Sequence, residues 1–143
     1  MPAETFTSEE ELDRLMQKIA DGDMPNEEFS HRYHLAMAAC IVFEGGSLEK
    51  VRQTILSLNE ANKVEQTATG GYHETITVAW YQLIKAHLAS LPQETPRLLA
   101  VNSVLHEFTD KFVLLRHYSR DVLMSWEARK SYVEPDLAPL PEG

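Results

Sequence analysis

The strongest constraint on the fold is a stripe of residues between His73 and Leu91 that falls on one face of a helix. Its members recur at i, i+3, i+4 and i+7 over about five turns, which is the pattern of an amphipathic helix. The β-branched start of the segment, ETITV, is typical of a strand, but a helical period kept over this length favours a helix. The stripe comprises His73, Ile76, Thr77, Trp80, Leu83, Ile84, His87, Leu88 and Leu91.

Serine, threonine and glycine residues mark the ends of the other predicted helices. A small hydroxyl side chain caps the first turn, and glycine permits the turn that ends a helix. These signals predict a first helix after Thr7 or Ser8 that ends near Gly22, a second from His31 to Glu44 after Ser30, a third after Ser47, a fifth after Thr95 and Pro96, and a last helix from Arg120 to about Lys130 after Ser119. The run FTDKFVLLRHYS either continues the fifth helix or forms a separate short one.

Short connections between these helices predict an all-α fold with antiparallel neighbours. We expect a single helical domain over residues 1–143, built as a bundle of four main helices with short additional helices. Residues 131–143 include three prolines from Pro135 onward and are predicted to form an extended tail, either packed on the bundle or loose.

The charge balance and the cysteine count narrow the classes of partner. Asp and Glu outnumber Lys and Arg by 22 to 13, for a formal net charge of −9, which disfavours nucleic acid. No run approaches the roughly 18 apolar residues of a membrane span, and the acidic N-terminal segment lacks the features of a signal peptide. The single cysteine, Cys40, excludes an internal disulfide. We therefore expect a cytoplasmic protein with no membrane partner.

Three of the six histidines are predicted metal ligands. His31 and His34 are three positions apart on one helix, so their side chains are neighbours and can face one ion. His73 lies in the predicted first turn of the fourth helix, where the positive end of the helix dipole keeps the ring neutral. Neutral imidazole binds zinc, iron, copper or nickel. The sequence thus predicts a pocket between the second and fourth helices that holds a divalent metal or a small polar ligand.

Catalytic and ligand-binding roles follow from the neighbours of these histidines. Glu74 is the candidate general base for a metal-activated water, and His73 can also act as a base. His117 lies beside Arg116 at a predicted helix junction, and both are candidate ligand-binding residues. Whether the protein is an enzyme is left open, since the patterns G-x-S-x-G, H-E-x-x-H and CxxC are all missing.

Two other functions compete with this pocket. Gly70 and Gly71 precede a helix start, where backbone N–H groups can approach an anion, with support from Arg116, Arg120 or Arg129. Alternatively, the chain is a structural or interaction protein, as a homo-oligomer or with a partner, and its histidines are polar residues of the core.

Three runs of the chain, FSHRYHLAMA, GGYHETITVAW and LLRHYSRDVLMSWEARKSYVEPDL, resemble a family of small bacterial proteins with an H-x-x-H-L motif and a YHETIT motif. The runs cover about a third of the chain. The resemblance implies a small all-helical protein and brings no established activity with it. The residues that it marks are His31, His34, Tyr72, His73, Glu74 and Thr75, and it is the reason for predicting Tyr72 as a ligand-binding residue.

Overall fold

Seven α-helices and two 3₁₀ turns make up the regular structure of residues 5–141, which are the residues that the computed structural model describes. This range contains no strand, so the all-α prediction is confirmed. Residues 1–4 of the predicted domain and residues 142–143 of the predicted tail lie outside the described range. The helices are α1 (Glu9–Ala20), α2 (His31–Phe43), α3 (Leu48–Ala61), α4 (Glu74–Ala89), α5 (Arg97–Glu107), α6 (Arg120–Leu123) and α7 (Trp126–Lys130), with 3₁₀ turns at Asn26–Glu28 and Val113–Arg116.

Serine caps begin the first three helices where the sequence predicts them. The Oγ atoms of Ser8, Ser30 and Ser47 accept from the backbone N–H three residues later, at 3.2, 3.3 and 3.2 Å. Gly22 and Gly45 adopt φ of 74° and 83° just after α1 and α2, a left-handed turn that glycine makes without steric cost. Local chemistry therefore fixes these boundaries.

Two predicted helices begin or continue differently in the structure. Pro96, not Thr95, is the N-cap residue of α5, and the Leu98 N–H is capped by a carboxylate oxygen of Glu9 at 2.9 Å. The predicted last helix is two short helices, because Ser125 accepts from the Ala128 N–H at 3.1 Å and starts a new one. The run after α5 forms a separate 3₁₀ turn.

Helix α2 lies at the centre of the fold and contacts α1, α3, α4 and α5. Its seven consecutive residues from Leu35 to Ile41 are all buried. A helix that is apolar on every side must be covered on every side, which explains why α2 is surrounded. His31 and His34, on the first turn of α2, therefore lie at the edge of the core.

The proline-rich segment from residue 131 to residue 141 has no regular secondary structure and packs on the bundle. The Tyr118 hydroxyl donates to the Val133 carbonyl at 2.7 Å, and the Leu137 N–H donates to the His117 carbonyl at 2.9 Å. Of the two predicted arrangements of the tail, the structure has the packed one.

Candidate functional site

The two histidines of α2 each commit one ring nitrogen to a backbone carbonyl. His34 Nδ1 lies 3.0 Å from the Ser30 oxygen, and His31 Nε2 lies 2.8 Å from the Phe108 oxygen. Carbonyl oxygens only accept, so each of these nitrogens carries a hydrogen in the neutral ring. The remaining lone pairs are therefore on His34 Nε2 and His31 Nδ1. The His34 ring also stacks on Phe29, with the ring centroids 3.7 Å apart.

His34 is held in its neutral form. Burial lowers its pKa from the ordinary value of 6.5, and the neighbouring His31 lowers it further, although the Ser30 carbonyl opposes the shift. Near pH 7 the ring is therefore an imidazole with a free acceptor nitrogen, not an imidazolium.

His31 and His34 line a cavity of about 230 Å³ between α2, α3 and α4, which we call the α2–α4 cavity. The cavity is partly open to solvent, and most of its lining is apolar or aromatic. The residues that line it are His31, His34, Leu35, Met37, Ala38, Val51, Ile55, Ile76, Thr77, Trp80, Tyr81 and Ile84.

A second cavity of about 330 Å³ adjoins the first at the start of α4, and we call it the polar hollow. Its lining adds amide and hydroxyl groups to the four residues that it shares with the α2–α4 cavity, namely His34, Ile55, Ile76 and Thr77. His34 thus lies on the boundary between an apolar and a polar space. The remaining residues of the hollow are Asn26, Asn59, Val64, Gly71, Tyr72 and His73.

His73 is the N-cap of α4, one position before the predicted first turn. Its Nδ1 accepts from the Ile76 N–H at 3.1 Å, and its Nε2–H donates to the Leu123 carbonyl at 2.7 Å. The residue is 7% exposed, and burial, helped by the charge of Arg129, lowers the pKa of its ring. Both ring nitrogens are used, so His73 would have to break one of these bonds to ligate a metal or take up a proton.

Glu74 is held between α3 and α4 by a bidentate ion pair. Arg52 Nε and Nη2 donate to its two carboxylate oxygens at 2.9 and 2.6 Å, and the Tyr72 hydroxyl donates to Oε1 at 2.6 Å. The hydrogen bond from Arg52 is the largest cause that lowers the pKa of Glu74, and burial together with this carboxylate raises the pKa of Tyr72 to about 12. A carboxylate with a lowered pKa is a weak base, which does not favour the predicted role of Glu74 as a general base. The contacts of Glu74 with Arg52 and Tyr72 join the start of α4 to α3.

His117 and Arg116 lie away from both cavities. His117 Nδ1 donates to the Ala138 carbonyl at 3.0 Å, which attaches the tail to the segment before α6. Arg116 is exposed. Neither residue lines the α2–α4 cavity or the polar hollow, so the structure does not bring them to the histidines of α2.

The Gly70–Gly71 segment is tied to the protein's own groups. Gly71 has φ of 89°, and a Cβ there would come within 2.8 Å of the Glu65 oxygen, so only glycine fits. The Gln66 side chain pairs with both backbone groups of Tyr72, at 2.8 and 2.9 Å. Arg129 Nη1 donates to the Gly71 carbonyl at 3.1 Å. Arg129, one of the arginines predicted to support an anion at Gly70 and Gly71, therefore donates to a backbone carbonyl of this segment.

The predicted three-histidine set is not assembled. Within residues 5–141, no three His, Cys, Asp or Glu side chains come together in a group that could hold a metal ion. His31 and His34 share a cavity, whereas His73 joins His34 only in the polar hollow.

Within residues 5–141, no helix combines the length and hydropathy needed to cross a bilayer.

Sequence reasoning missed the residues that shape the cavity. Trp80, a member of the predicted stripe, and Ile55, on α3, both pack against the core and also line the cavity. The tilted contact between the His31 and Trp80 rings, with centroids 5.2 Å apart, joins residues 49 positions apart in the chain. A helical period predicts which face of a helix is buried and does not predict a gap against its neighbours.

Comparisons with known proteins found no match. No family model fits the chain, and neither the curated proteins nor the solved structures contain one that matches it.

Proposed function

We propose that this protein binds a small molecule with an apolar body and one polar group in the α2–α4 cavity, with the polar group at His34. Small-molecule sites are mostly apolar cavities with a few placed polar groups. The observation that carries the proposal is the position of His34, whose ring borders the apolar cavity and the polar hollow and makes its hydrogen bond to Ser30 through Nδ1, which leaves the lone pair on Nε2.

The volume of the cavity limits the size of the ligand. A cavity of roughly 150 Å³ holds benzene, so by proportion 230 Å³ holds about nine non-hydrogen atoms. A larger ligand would extend into the polar hollow. The expected class is therefore a small aromatic or branched aliphatic compound with its polar end beside His34.

The small-molecule proposal is preferred over the divalent metal that the sequence also predicts. A metal site needs a third and usually a fourth ligand, and no third ligand side chain joins His31 and His34 in the described part of the chain. The rival role as an interaction protein is tested by the binding measurements described next, because it predicts that no small molecule stabilises the protein. We also propose a cytoplasmic location, supported by the lone cysteine of the sequence.

The test compares two alanine-to-leucine variants. Ala38 lines the cavity, so Ala38→Leu fills it, whereas Ala86 is half-buried on α4 and does not line the cavity, so Ala86→Leu serves as the control. Toluene and phenol are added to each protein and the melting temperature is followed. A probe at 100 times its Kd stabilises the folded state by about 2.7 kcal/mol.

We expect a concentration-dependent rise in melting temperature for the wild type and for Ala86→Leu, and a smaller or absent rise for Ala38→Leu. If Ala38→Leu does not fold, Ala38→Val fills part of the cavity with less strain. Absence of any response in the wild type, or an equal response in the filled variant, would contradict the proposal.

A further inference from the structure

The chemistry of the lining residues defines which polar group the cavity can accept. Neither the α2–α4 cavity nor the polar hollow is lined by Asp, Glu, Lys or Arg from the described chain. An ion moved from water into such a site would lose its hydration and gain no opposite charge, which is strongly unfavourable. A neutral ligand fits this lining better than a carboxylate, a phosphate or an ammonium.

His34 also determines whether the ligand must donate or accept a hydrogen bond at this neutral site. Its Nδ1 hydrogen is committed to the Ser30 carbonyl, so the ring offers only the lone pair of Nε2. In residues 5–141, one side-chain nitrogen or oxygen is fully buried and has no hydrogen-bond partner, and this atom is Arg129 Nε. No atom of His34 is of this kind, and His34 lines both the α2–α4 cavity and the polar hollow.

We propose that the ligand is a neutral hydroxyl compound whose O–H group donates to His34 Nε2 while its apolar body fills the α2–α4 cavity. This inference rests on the proposed function and names the ligand class of the same site. His31 Nδ1, the other free imidazole lone pair of the cavity, is also an acceptor and favours the same class.

The experiment uses four aromatic probes of similar size that differ in one group. Phenol donates a hydrogen bond, anisole only accepts one, toluene does neither, and benzoate carries a negative charge. Binding of each to the wild-type protein is measured by titration calorimetry at pH 7.5, where phenol is neutral. One net hydrogen bond makes phenol bind roughly 3- to 10-fold more tightly than toluene. Anisole and benzoate should show no such gain.

A variant isolates the contribution of His34. His34→Phe keeps an aromatic ring against Phe29 and removes the Nε2 acceptor, so the preference for phenol over toluene should fall well below its wild-type value, with His31 Nδ1 as the remaining imidazole acceptor. His34→Gln retains an acceptor oxygen and should restore part of the preference. If His34→Phe does not fold, the ¹⁵N shifts of His34 in the wild type give the same answer, since phenol should move Nε2 and leave Nδ1 in place.

The outcomes separate the two proposals. Equal binding of phenol and toluene to the wild type overturns the hydroxyl inference and leaves the small-molecule function standing. Binding of anisole as tight as that of phenol also overturns it, because the ligand oxygen would then accept from Trp80 or Tyr81. Tightest binding of benzoate overturns it in favour of an anion. No binding of any probe refutes the proposed function itself.

Discussion

Replacing His73 with alanine should remove two hydrogen bonds that hold α4 in place. The cap bond to the Ile76 N–H contributes about 1 kcal/mol, as N-cap residues typically do. Loss of the bond to Leu123 leaves a carbonyl without its partner at a cost of about 1 to 3 kcal/mol. We therefore expect His73→Ala to lower the free energy of unfolding by roughly 2 to 4 kcal/mol.

Urea denaturation followed by circular dichroism at pH 7 measures this loss. His73→Asn keeps a side-chain oxygen for the cap and gives up the bond to Leu123, so its stability should fall between those of His73→Ala and the wild type. His106 is exposed on α5 and gives a matched control, since His106→Ala should change stability by less than about 0.5 kcal/mol. If His73→Ala is as stable as His106→Ala, the cap and the Leu123 bond do not hold α4 as described.

Three further predictions concern other groups. Burial lowers the pKa values of His34 and His73 in the folded protein, so the unfolded chain binds more protons below pH 6.5. The free energy of unfolding should therefore fall as the pH drops from 7.5 to 5. Urea titrations of His73→Asn should show a shallower fall with pH, and a fall equal to that of the wild type would contradict this prediction. A double-mutant cycle with Arg52→Met and Glu74→Gln should give a coupling of about 1 kcal/mol, reduced by solvent exposure of the pair, and a coupling near zero would show that the pair does not join α3 to α4. The Cys40 thiol, buried with its pKa raised to about 12, should react with a thiol reagent only after unfolding, and rapid labelling of the native protein would refute its burial.

The parts of the fold that depend on local chemistry could be predicted from the sequence. Ser30 and Ser47 cap helices because each accepts from an N–H three residues away. The break between α6 and α7 also has a local cause in Ser125, which lies inside the predicted helix from Arg120 to about Lys130 and was not recognised there as a cap.

The parts of the site that depend on contacts between distant helices could not be predicted in this way. The partner of Glu74 is Arg52, 22 residues earlier, and the partner of His73 is Leu123, 50 residues later. Helical spacing correctly groups His31 with His34 but does not fix how α2 is rotated against α4. The positions of His73 and Glu74 therefore follow from tertiary packing, which gives each of them a protein partner of its own.

The central claim is that the space between α2, α3 and α4 is an apolar cavity that takes a ligand. Diffraction from crystals held under xenon pressure tests it directly, because xenon enters dry apolar cavities and gives strong density. We predict a xenon peak among Ile55, Ile76 and Trp80, and no peak there in Ala38→Leu. A wild-type crystal in which side chains or ordered water fill this space, with no xenon bound, would contradict the account.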